Sequence, residues 1–135
     1  MLLNLTNHPF RRWPADQQRA AEQRWGTVRD LPFPEVAPES TTRQVALLAR
    51  ETVLRAAMLE PDAVLCQGEM TLTLVLTALL QRRGIPVYAA VSRRQSREHK
   101  QGQAVVKTSE YRFHGFREYP RWPWPSQSEP PHEQQ

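Results

Sequence analysis

A chain of 135 residues with a formal net charge of +4 fits one domain and can bury a sound core without cross-links. Its one cysteine, Cys66, excludes an intrachain disulfide and any zinc site built from several cysteines, which suits a reducing cytosol. No apolar run approaches the roughly 20 residues that cross a bilayer. The stretch MLLNLTNHPF also lacks the basic start and small-residue cleavage site of a secretory signal, so a cytoplasmic protein with no membrane partner is expected.

Residues 1–6, MLLNLT, read as a first strand that stops at the turn chemistry of Asn7, His8 and Pro9. Pro14 suits the first turn of a helix running to Gly26, a residue fitted to a helix stop. TVRDLPF, residues 27–33, reads as a second strand, and Pro32, Pro34 and Pro38 keep the next connection extended. Thr41 and Gln44 match a capping box ahead of a helix that reaches about Leu59, with Val45, Leu48, Ala49, Thr52, Val53 and Ala56 on one face. Pro61 and Asp62 end that helix, and AVLC (63–66) is a buried strand. Residues 69–83 alternate at Thr71–Leu74 as a strand would, yet the length and the closing RRG favour a helix. PVYAAVS opens a further strand at Pro86, RRQSREHKQG (93–102) reads as a polar loop, and AVVKTSEYRFHGFREY (104–119) as a strand with a kink near Gly115. From Pro120 five prolines in sixteen residues, with Trp122 and Trp124 among them, predict a disordered tail.

The order β-α-β-α-β-α-β-β predicts an α/β domain over residues 1–119. The expected architecture is a Rossmann-like three-layer fold with a mainly parallel sheet of four to five strands and an antiparallel edge strand or hairpin. In open sheets of this kind ligands bind beyond the carboxyl ends of the strands. That rule selects the loops Thr6–Pro9, Gln67–Glu69 and Ser92–Arg94, with Lys107 joining only if the last hairpin folds back.

These loops are chemically complementary. Gly68 admits close backbone approach at a helix start, and Gln67 can donate and accept in one plane. Arg93 and Arg94 suit phosphate oxygens, and His8 can move a proton near neutrality. Plainer readings stand beside these: an Asn7 turn, a Glu69 that favours its helix dipole, and arginines that are solvated surface charges. Cys66 reads as a buried thiol or, less simply, as a nucleophile. Seven Lys or Arg from Arg93 to Arg117 stand against Glu98, Glu110 and Glu118, which suggests either a phosphate-bearing partner or a solvated hairpin. The GxxxxGK[ST], GxGxxG, HExxH and GxSxG patterns are all missing, so no metal or other cofactor is expected.

On the strings LNLTNHPFRRW, DLPFP, VLCQGEMTLT and KTSEYRFHGFREY the chain resembles a small family of CRISPR-associated accessory proteins of type III systems, over residues 2 to about 119. The resemblance implies a CARF-like ring nuclease: a homodimer that binds cyclic oligoadenylate at its two-fold axis and linearises it without metal, the ribose 2′-OH attacking the adjacent phosphate. Under that activity Asn7 and Gln67 would hold ribose or adenine. Gly68, Ser92, Arg93, Arg94 and Lys107 would serve the phosphates, and His8 or Glu69 would assist the 2′-OH. Two alternatives are a nucleotide sensor that does not cleave, and an accessory protein that contacts RNA or a CRISPR complex through the basic hairpin and tail.

Overall fold

The computed structural model describes residues 1–121. Strand β1 (Leu2–Thr6) passes through a 3₁₀ turn (Phe10–Arg12) into helix α1 (Ala15–Trp25). Next along the chain come β2 (Val28–Asp30), α2 (Thr42–Met58), β3 (Ala63–Gln67), α3 (Met70–Arg82), β4 (Val87–Gln101) and β5 (Ala104–Glu118). The sheet runs β2-β1-β3-β4-β5, parallel throughout except for the antiparallel β4–β5 pair. The fold is α/β and Rossmann-like, with three layers, as the alternation of elements predicts. Among the described residues no helix is long and apolar enough to cross a membrane.

Strand periodicity divides the core in two. Leu3, Leu5, Val64 and Cys66 point to the face covered by α2 and α3, where they meet Val45, Ala49, Val53, Leu72, Leu76 and Leu80. Leu2, Ala63 and Leu65 point to the opposite face, where Trp13, Ala21 and Tyr88 cover them. Helices on both faces explain why every residue of β1 is buried. Each helix starts and stops for a local reason. Thr41 and Gln44 form the expected capping box at α2, and Gly26, at φ 80°, ends α1. Arg24 then lies over the rings of Trp25 and Tyr88, 4.8 and 4.7 Å from their centroids, and fixes α1 to the sheet.

Two expectations about strand length are corrected. β2 covers Val28–Asp30 instead of 27–33, because Pro32 and Pro34 have no N–H to give. The chain nevertheless stays beside β1, with Leu31 N–H donating to Asn4 O at 2.9 Å and Phe33 N–H to Thr6 O at 3.4 Å. The expected polar loop at 93–102 is strand. β4 continues to Gln101 and turns on Gly102–Gln103, with Gly102 at φ 64° supplying the first turn position. Its polar side chains have no core to enter, and the backbone ladder with β5 holds the segment extended. The kink expected near Gly115 is a bulge: Val91 pairs with Gly115 and Ser92 with Phe113, leaving His114 as the extra residue. The Pro-rich tail expected from residue 120, with Trp122 and Trp124, lies from residue 122 onward outside the described residues.

Candidate functional site

The sequence of β1 is apolar except for Asn4 and Thr6, and these two shape the loop beyond it. Asn4 is 1% exposed in mid-sheet, so its amide needs partners. Its Nδ2 donates to His8 O at 2.8 Å and to Asp30 Oδ1 at 2.7 Å, and its Oδ1 accepts from Thr6 Oγ1 at 2.8 Å. Asp30 Oδ1 also accepts from Phe10 N–H at 3.0 Å, and the His8 carbonyl takes a further bond from Trp13 Nε1 at 2.9 Å. With its backbone pinned from below, the loop holds Asn7 and the His8 ring exposed at its surface.

The corner after β3 is built differently from what the residue types alone suggest. Gln67 bridges to β4: its Oε1 accepts from Ala90 N–H at 2.9 Å and its Nε2 faces Ala90 O at 3.4 Å. Parallel backbone pairing of β3 with β4 covers Val64 and Leu65, so the Gln67 amide extends the ladder where the strands part. Gly68 is explained by Phe33, whose ring fills the space of a side chain there, with Cε1 2.5 Å from an ideal Cβ. Glu69 is the N-cap of α3. Its carboxylate accepts from the N–H groups of Thr71 at 3.1 Å and Leu72 at 2.8 Å, and from the Thr71 hydroxyl. Those bonds, the Leu72 N–H foremost, hold its carboxyl below the usual range.

A cleft of about 450 Å³ opens between the two corners, on the α1 face of the sheet. Observed strand order reverses between β1 and β3, so the cleft sits at the topological switch point. Asn7, His8, Gln67, Gly68 and Ser92 of the expected site all line it, together with Leu65, Trp13 and Ala90. Two polar residues that sequence reasoning passed over join them, Arg12 on the 3₁₀ turn and Gln17 on the first turn of α1. The cation of "HPFRRW" next to a strand end was the available signal for Arg12. Among the described residues no carboxylate lies within ion-pair distance of Arg12, and the side chains of Asn7, His8, Gln17 and Ser92 make no hydrogen bond within the fold.

Arg93, Arg94 and Lys107 do not line the cleft. All three lie on the β4–β5 arm, where Arg94 donates to Ser109 Oγ at 3.0 Å and Lys107 pairs with Glu98 at 3.5 Å. The structure decides between the two readings of Cys66. Burial pushes its thiol up to about 12, so it stays protonated and has no nucleophilic role near neutrality. Among the described residues no three His, Cys, Asp or Glu side chains converge as metal ligands would.

No curated protein and no solved structure matches the chain. One family model matches residues 1–117, that of the uncharacterized protein MJ1673 family, and the chain belongs to this family.

Proposed function

We propose that the protein is a metal-independent phosphodiesterase of the ring-nuclease kind, which binds and cleaves cyclic oligoadenylate in the cytoplasm during CRISPR antiviral signalling. The observation that carries the reading is the convergence of His8, Arg12, Asn7 and Ser92 on one switch-point cleft, with side chains unused by the fold. Arg12 offers a forked donor set for a phosphate, and Asn7 and Gln17 offer amides to ribose hydroxyls or a base edge. The His8 imidazole takes the proton of a ribose 2′-OH as that oxygen bonds to the adjacent phosphorus. The P–O5′ bond breaks, the departing 5′ oxygen is protonated, and a linear product ending in a 2′,3′-cyclic phosphate remains. Arg12 balances the charge that gathers on the phosphoryl oxygens.

A cleft of about 450 Å³ accommodates a ligand of drug size, and a ring of several nucleotides exceeds it. The ring is therefore shared by two copies related by a two-fold axis. Met70 and Leu74, one turn apart on α3 and 82% and 72% exposed, border Gln67 and Gly68 and supply apolar surface for that pairing.

One observation favours a second reading, a sensor that binds without cleaving. Glu69 is engaged in its own helix, so His8 and Arg12 are the titratable groups lining the cleft. Incubation with cyclic tetra-adenylate, with products read by chromatography, separates the two. Multiple turnovers to linear product support the phosphodiesterase. Tight binding with the ring recovered intact supports the sensor, and neither binding nor turnover refutes both.

A further inference from the structure

We propose that the β4–β5 arm binds single-stranded nucleic acid, a surface separate from the cleft. Beyond Val91 and Gly115 the two strands pair only with each other, and most of their side chains are exposed. From Ser92 to the turn the arm extends about 30 Å, at roughly 3.3 Å per residue. Residues 92–114 carry six Lys or Arg and two Glu, so their net charge equals the whole formal +4 of the chain. The rest of the molecule is neutral in sum.

The cross-strand register sets Glu98 opposite Lys107 on one face, and on the other gathers three arginines around a single carboxylate, Glu110, which stands opposite Gln95. Arg93 stands directly opposite Arg112, and Arg97 lies further along the same face. Like charges directly opposed destabilise a sheet, and a ribbon with neither face packed is only marginally stable. Among the described residues no carboxylate comes within ion-pair distance of these three arginines. Phosphate groups would relieve the repulsion and take up the forked donors. On the other face Tyr111 is 71% exposed and stands directly opposite Arg94. A ring beside a guanidinium is a platform for a base, and only an unpaired base can stack on it. An acidic protein would answer the arginines but would leave Tyr111 without a planar partner.

The test is fluorescence anisotropy of the full chain with a labelled single-stranded RNA of mixed sequence, over a series of salt concentrations. Wild type should bind, more weakly as salt rises. The double substitution Arg97→Ala, Arg112→Ala should lower the log–log salt slope by about 1.4, about 0.7 for each lost phosphate contact. The pair Arg97→Lys, Arg112→Lys should keep the slope, which separates charge from misfolding. Tyr111→Ala should weaken binding about tenfold or more. None of these residues lines the cleft, so the RNA result stands whether or not cyclic tetra-adenylate is bound. Absence of binding at low salt, a slope unchanged in the double alanine variant, or equal displacement of the RNA by duplex or by polyglutamate overturns the proposal.

Discussion

The ring of Phe33 rests on the backbone of Gly68, with three ring carbons within 2.6 Å of where a β-carbon would be. Phe33 arrives there along the extended chain beside β1 and is itself buried in the α2/α3 core. The glycine at the cleft rim thus serves packing from behind, while its other side borders the open cleft.

Gly68→Ala should therefore destabilise the protein by about 1–3 kcal/mol, the usual cost of forcing atoms into a packed core. Urea denaturation of the single variants and of Gly68→Ala with Phe33→Leu closes a double-mutant cycle. The cost of the alanine should fall in the Phe33→Leu background, where the ring is gone. An equal cost in both backgrounds would show that the ring is not the reason for the glycine.

Removal of the buried amide in Asn4→Ala leaves the His8 carbonyl and the Asp30 carboxylate with one fewer donor each. The expected loss is about 1–3 kcal/mol of stability. Because the same amide pins the loop that presents Asn7 and His8, affinity for cyclic tetra-adenylate should fall as well. Calorimetric titration of the folded variant checks the second effect apart from the first.

Inside the cleft the two ionic residues should fail differently. His8→Ala should keep the ring bound while product formation drops by about 10²–10⁴, the range for loss of a general base. Arg12→Ala should weaken binding about tenfold or more, as expected for a charged hydrogen bond at about 1.5–3 kcal/mol. Single-turnover rates and binding isotherms distinguish the two patterns.

The Glu69 carboxyl is lowered in the folded protein, so its ionised form stabilises the fold. That contribution is complete above the ordinary 4.5 of a glutamate and disappears as pH falls below it through the lowered value. Urea midpoints of wild type and Glu69→Gln should differ at neutral pH and converge on acidification. Since the carboxylate caps α3 and does not line the cleft, the variant should still bind cyclic tetra-adenylate.

Burial that raises the Cys66 thiol to about 12 leaves almost no thiolate at mildly alkaline pH. A chromogenic disulfide reagent should not react with the native protein there, and should titrate one thiol once urea unfolds it. Rapid reaction of the native protein would contradict the burial.

Much of the architecture is legible in local chemistry. The apolar runs of β1 and β3, the capping box at Thr41 and Gln44, and the stop at Gly26 each act through neighbours in sequence. The outer residues of β4, 93–101, were not, because they carry neither a buried face nor an apolar alternation. They are held by a backbone ladder between residues that meet only through the Gly102–Gln103 turn.

The site divides along the same line. Sequence by itself determined the order of elements, and with it the strand ends at which Asn7, His8 and Gln67 would lie. Tertiary structure alone decided what those residues are free to do. Gln67 is engaged by Ala90, Gly68 by Phe33 and Glu69 by its own helix, whereas Arg12 and Gln17 turn into the cleft. The physical reason is that a polar side chain's task depends on which donors and acceptors it meets. Ala90 and Phe33 lie 23 and 35 positions from the residues they engage, at distances that only the folded sheet makes short.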